Sequence, residues 1–88
     1  MNYGLVRRKV EDFSKWKAVY DTYLPARQKA GLKEKHVLHN LDDPNEVITL
    51  FELEDVQKAR EFFESADLRA MMQQGGTADK PDFYLLRD

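Results

Sequence analysis

Residues 46–54 read "EVITLFELE", and this stretch decides the fold. Three β-branched residues, Val47, Ile48 and Thr49, stand beside Leu50, Phe51 and Leu53, a composition that fits a pleated, packed surface. Just upstream, residues 41–46 read "LDDPNE", where Asp42, Asp43, Pro44 and Asn45 each favour a tight reversal. Residues 32–41 then read as a strand that pairs with 46–54 as a hairpin.

Working towards the C-terminus, Asp55 offers a capping oxygen to a helix on which Val56, Ala59, Phe62, Phe63 and Ala66 recur at helical spacing. "SAD" at 65–67 predicts a break and a fresh cap. Leu68, Met71 and Met72 give a short further helical segment, ended by Gly75 and Gly76. A loop runs to Pro81, and "DFYLLR" at 82–87 is a last strand. Towards the N-terminus, residues 3–10 read as a strand, and Asp12 and Ser14 offer N-cap oxygens. Phe13, Trp16, Val19, Tyr20, Tyr23 and Leu24 then fall on one helical stripe. Pro25 removes an amide donor and crowds the preceding turn, which predicts a kink or break near residues 21–24. Helical spacing resumes through Arg27 and Ala30, and Gly31 suits the left-handed closing position.

The predicted order is strand, helix, strand, strand, helix, strand. This is an α+β, ferredoxin-like βαββαβ arrangement: a four-stranded antiparallel sheet with helices on one face, as a single domain over residues 1–88. A helix of about 17 residues rises roughly 25 Å and a strand of about seven spans roughly 23 Å, so the layers match in length.

A chain of 88 residues buries only about 60–65% of the surface its unfolded form exposes. With no cysteine, neither disulfides nor thiolate-bound metal can supplement that core, which leaves good packing or a partner chain. The pattern of the strands points to a partner. Ile48 and Leu50 oppose Val47, Phe51 and Leu53; Phe83 and Leu85 oppose Tyr84 and Leu86; Leu5 opposes Val6. Both faces of the sheet are therefore apolar and helices cover one, so the expected partner is a second copy, docked sheet face to sheet face as a homodimer. The formal net charge is −2, from 14 basic and 16 acidic residues spread along the chain, so no basic face for nucleic acid is expected. No apolar run approaches a membrane span and no signal peptide is evident, so a cytoplasmic protein without a membrane partner is expected.

Four stretches, "VEDFSKWKAVYD" at 10–21, "ARQKAGL" at 26–32, "LDDPNEVITLFEL" at 41–53 and "KAREFFESADLRAMMQQGG" at 58–76, resemble the dimeric α/β-barrel superfamily. Within it they are similar to small single-domain proteins grouped with antibiotic-biosynthesis monooxygenases and polyketide cyclases. The resemblance implies a dimer and a helix–sheet cleft in each protomer. It further implies a cofactor-independent monooxygenase or cyclase-like activity on an aromatic or polyketide-like molecule, or a non-catalytic dimeric ligand-binding or interaction module on the same fold. Haem-degrading members use an asparagine on the first strand, a tryptophan on the third and a histidine on the second helix. Here Asn2 matches loosely, and "VITLFEL" and "VQKAREFFESA" hold neither tryptophan nor histidine, so haem degradation is not implied.

The candidate catalytic residues are His36 and His39, the only two histidines, in "HVLH" at 36–39. Their spacing of three on a strand points them to opposite faces, which argues against a shared metal ion and makes each a separate candidate for proton transfer. A histidine hydrogen-bonded at the sheet or dimer edge is the alternative. Trp16, Tyr20 and Tyr23 share the first helical stripe as core or as a platform for a planar ligand, and Arg27, one turn beyond, is an anchor for an acidic group or a solvated helix residue. Phe63 and Met72 are candidates for a deformable apolar wall, with core packing as the alternative. Gly75 and Gly76 lack the Lys and Ser/Thr of a phosphate loop, and "DDPNE" lacks the spacing of a calcium loop. No metal and no cofactor are expected.

Overall fold

The computed structural model describes residues 1–77 and 80–88. Its elements run β1 (Asn2–Lys9), α1 (Phe13–Thr22), α2 (Leu24–Lys29), β2 (Leu32–His39), β3 (Glu46–Leu53), α3 (Val56–Phe63), α4 (Ala66–Gln74) and β4 (Asp82–Arg87). The strands form one antiparallel sheet in the order β2-β3-β1-β4, so the expected ferredoxin-like architecture is the observed one.

The helix boundaries follow local chemistry. Asp12 accepts from the Lys15 amide at 3.1 Å, Asp55 from Lys58 at 3.1 Å and Ser65 from Leu68 at 3.1 Å, each satisfying a free donor of a first turn. The break predicted at Pro25 falls at Tyr23: Pro25 occupies the first turn of α2, where a missing N–H costs no helical bond. Gly31, at φ 76°, closes α2 in a conformation that a side chain would strain.

Strand ends differ from the expectation by a residue or two. β1 begins at Asn2 and stops at Lys9, and Val10 instead bridges to Thr77. β2 stops at His39 because Asn40 turns the chain, its side-chain oxygen accepting from the Asp42 amide at 2.8 Å. β2 is also irregular: its register against β3 shifts between Glu34 and His36, leaving Lys35 as the extra residue of a β-bulge.

All helices lie on one face of the sheet. Val6, Val47, Phe51 and Leu53 from the strands pack there against Trp16, Tyr20, Ala59, Phe63, Leu68, Met71 and Met72. Gly4 permits this closure, since a Cβ at that position would stand 3.1 Å from the Phe63 ring. The opposite face carries Tyr3, Leu5, Ile48, Leu50, Leu38, Tyr84 and Leu86, as the strand register requires. Among the described residues, no helix is long and apolar enough to cross a membrane.

Candidate functional site: a cleft ending on two buried arginines

Strand alternation places Arg8 on the helix side, in step with Val6 and Val10. Its side chain is 3% exposed. The guanidinium carbon lies 4.9 Å from the centre of the Trp16 ring, and Nη2 donates to Thr49 Oγ1 at 2.9 Å. Trp16 in turn stacks on Tyr20 with centroids 4.7 Å apart, and the Arg27 guanidinium lies 3.7 Å from the centre of the Tyr20 ring. Cation, ring, ring and cation thus make one continuous stack through the interior. Arg27 is 4% exposed and is tied back by Nη1 donating to the Tyr20 carbonyl at 2.6 Å. It is therefore an interior group and not a solvated helix residue.

The stack leaves charge uncompensated. Among the described residues neither arginine has an ion-pair partner within salt-bridge distance, and Arg8 Nε, Arg8 Nη1 and Arg27 Nε meet no acceptor. Burial pushes Arg8 down from its ordinary value to about 10; nearby Tyr20 opposes this and the like charge of Arg27 adds to it. Burial also lowers Arg27, with Tyr20, Glu34 and Asp21 acting in the other direction. The Tyr20 hydroxyl donates to Glu34 Oε1 at 2.7 Å. Burial first, and that hydrogen bond second, raise the Tyr20 phenol above its ordinary range, so it remains a neutral donor at neutral pH.

Arg8, Tyr20 and Arg27 line a cavity of about 20 Å³ together with Val6, Phe51 and Met71. Phe63, Leu68, Met72 and Phe83 also line it, and these same four side chains form the inner wall of a larger open cleft of about 430 Å³ between α3, α4 and β4. Phe63 and Phe83 face each other with ring centroids 5.2 Å apart. Glu64, Arg69 and Lys80 stand around the open cleft. The arrangement is an open apolar, aromatic cleft backed, across a single layer of side chains, by a small cavity with two cationic groups in its wall.

Of the residues singled out from sequence, Tyr20, Arg27, Phe63 and Met72 come together on this cleft and its inner cavity. Trp16 is fully buried behind Tyr20 and supports the stack without lining the cavity. Tyr23 packs half-buried against the core and does not line the cavity. The two histidines lie elsewhere. His36 sits opposite Leu50 on the helix-free face. His39 is on the helix side but at the far end of β2, exposed, with its ring 3.8 Å from Phe13 and Nδ1 3.0 Å from the Pro44 carbonyl. Neither lines the cleft. Arg8 and Glu34 were not picked out from sequence. The signal for Arg8 was present, because it shares strand parity with Val6 and Val10; Glu34 had no such signal, because its bond to Tyr20 spans 14 positions. Among the described residues no cluster of three or more His, Cys, Asp or Glu side chains is arranged to hold a metal ion.

Solved structures show the same architecture. A Bordetella bronchiseptica protein, described as a proposed antibiotic biosynthesis monooxygenase, superposes with a TM-score of 0.78 at 15% identity, over 99% of this chain and 95% of that one. This chain has their fold. A Caulobacter crescentus protein of the same description matches at TM-score 0.69 and 16% identity, over 97% and 87% of the two chains. One from Nitrosomonas europaea matches at 0.62 and 15%, over 100% and 98%. Identities this low carry the fold and not the reaction. No family model and no curated protein matches the sequence.

Proposed function

We propose that the protein is a small enzyme of the cofactor-independent monooxygenase or cyclase type, acting on an aromatic or polyketide-like molecule held in the helix–sheet cleft. The observation that carries this reading is the cleft of about 430 Å³ whose apolar inner wall is shared with the small cavity lined by Arg8, Tyr20 and Arg27. Apolar walls with a few convergent polar groups are the usual form of a small-molecule site. The descriptions given to the structural neighbours support the same class.

One observation favours the second reading, a non-catalytic dimeric ligand-binding module. Neither histidine lines the cleft and the Tyr20 hydroxyl is held protonated, so among the described residues the carboxylate of Glu64 is left as the cleft's candidate base, without an imidazole or phenolate beside it. A thermal-shift screen of aromatic acids, hydroquinones and enolisable diketones, followed by oxygen uptake and product analysis on the hits, separates the two. A hit that is consumed supports the enzyme; a hit that binds and is recovered unchanged selects the module; a panel that leaves Tm unmoved overturns both.

The homodimer belongs to this reading. Leu38, Tyr84 and Leu86 are 48%, 49% and 45% exposed on the helix-free face, beside Leu5 and Leu50, and covering such a band is what a two-fold sheet-to-sheet contact would do. Light scattering at micromolar concentration tests it: twice the chain mass is expected, reduced to one chain mass by Tyr84→Glu. A single-chain mass in the unsubstituted protein refutes the dimer. A cytoplasmic setting completes the proposal.

A further inference from the structure

We infer that the inner cavity is an oxyanion subsite, in which Arg8 and Arg27 receive one ionised oxygen of the ligand, a phenolate or an enolate, while the ligand's apolar body lies in the outer cleft. The inference rests on the cleft being a small-molecule site, and adds which end of the ligand goes in first and in what charge state.

Three observations carry it. The first is Arg8, which is 3% exposed, has one hydrogen-bond acceptor in Thr49 and leaves Nε and Nη1 without any. A buried cation with open donors is costly, and among the described residues only the Trp16 ring, the Thr49 bond and nearby Tyr20 offset it. A second such group, Arg27, shares the same cavity with its own open Nε. Glu34 and Asp21 act on Arg27 from a distance, but among the described residues no carboxylate pairs with either guanidinium, and two like charges facing one small space are arranged for an anion.

The second observation is size. About 20 Å³ admits roughly one water molecule or one ligand oxygen. A phosphate or sulfate, with four oxygens on one centre, does not fit it; a single oxygen projecting from a ring or an enol carbon does. The third is continuity. Phe63, Leu68, Met72 and Phe83 border both spaces, so the cavity and the cleft are one side-chain layer apart, and a planar ligand that turns Phe63 or Phe83 aside reaches the cavity with its leading atom.

Two guanidiniums around one oxygen favour its charged form, so binding ionises the ligand's hydroxyl. The O–H bond breaks, the electron pair stays on the bound oxygen and the proton passes to buffer. Tyr20 does not compete for the role, since its own hydroxyl is engaged with Glu34.

The test uses para-nitrophenol, whose anion is coloured and which ionises near neutrality, beside its uncharged ether para-nitroanisole. Binding of each to the intact protein is measured by titration, and the ionisation of bound nitrophenol is followed by its visible absorbance across pH. The expected result is that the phenol binds about tenfold or more tighter than the ether at a pH where it ionises, and that its ionisation on the protein moves to lower pH by about one unit or more. Arg8→Met, which leaves Arg27 alone, is expected to lose most of the preference for the phenol and most of the ionisation shift; Arg8→Lys, which keeps a second cation, is expected to retain more of both. Equal binding of phenol and ether by the unsubstituted protein, with no shift, overturns the oxyanion subsite while leaving the cleft as a binding site. Failure of both probes to bind overturns the cleft reading and this inference with it. The comparison of the two probes on the unsubstituted protein decides the matter without any variant.

Discussion

Arg7 and Arg8 are neighbours in sequence and opposites in circumstance. One step along β1 turns Arg7 to the helix-free face, where it donates to Glu46 Oε2 through Nε at 3.0 Å and Nη2 at 2.7 Å and lies 3.5 Å from Asp82. Arg8 turns to the helices, where it meets Trp16, one hydroxyl and, among the described residues, no carboxylate. The same side chain is matched on one face and unmatched on the other. A surface arginine with two acids near it is ordinary protein electrostatics; a buried one with open donors is a departure that needs a reason outside the folded chain. The difference separates what the sheet does for stability from what it holds ready for a ligand.

Several measurements would break or sharpen that contrast. The largest effect is expected from Trp16→Ala, which empties a fully buried site and takes the ring from both Arg8 and Tyr20: urea unfolding should show a loss of about 3–5 kcal/mol. Next comes Arg8→Met, which removes the unmatched charge and keeps the volume apolar. It should stabilise the ligand-free protein by about 1–3 kcal/mol, and an unfolding midpoint lower than that of the unsubstituted chain would mean that Arg8 is a structural residue after all. Tyr20→Phe deletes the bond to Glu34 and should cost about 0.5–1.5 kcal/mol. In ultraviolet titration it should also abolish a tyrosine ionisation step lying above the ordinary value of 10. That raised phenol pKa makes its contribution to stability fully present below pH 10 and lost as pH climbs through the folded value.

The smallest effect is expected at Arg7. Asn40 first and Arg7 second hold the Glu46 carboxyl below its ordinary 4.5. The folded state therefore prefers the carboxylate, and the contribution is present above pH 4.5 and fades as pH falls through the folded value. In Arg7→Met the decline of the urea midpoint on acidification should be shallower, with little change at neutral pH. An unchanged acid limb would show that Asn40 alone sets the Glu46 carboxyl.

Much of the fold was legible because its signals are local. "DDPN" for the hairpin turn, Pro25 for the helix break, and Asp55 and Ser65 as caps each act through backbone bonds within a few residues. The cleft was half legible. Tyr20, Arg27, Phe63 and Met72 could be named from helical spacing, but the depth of Arg27 depends on where α2 begins after the break at Tyr23. Arg8 was readable by parity with Val6 and Val10, yet a charge in a strand is ordinarily assigned to water. The contact between Tyr20 and Glu34, and the convergence of two arginines from β1 and α2, are products of tertiary packing alone.

The bulge at Lys35 carries one more consequence. Before it, Leu32 and Glu34 face the helices; after it, Val37 and His39 do, and His36 is turned outward. Were Lys35 instead paired as a regular strand residue opposite Leu50, every residue after it would slip by one: the two histidines would exchange faces, and His36 would come to the helix side opposite Thr49, the position now held by Val37. Two chains of this architecture can thus share the letters of "HVLH" and present different histidines to the interior. Correspondence between distant relatives across β2 is set by counting strand length on either side of position 35, and a motif aligned by its letters alone can have its chemistry on the wrong side of the sheet.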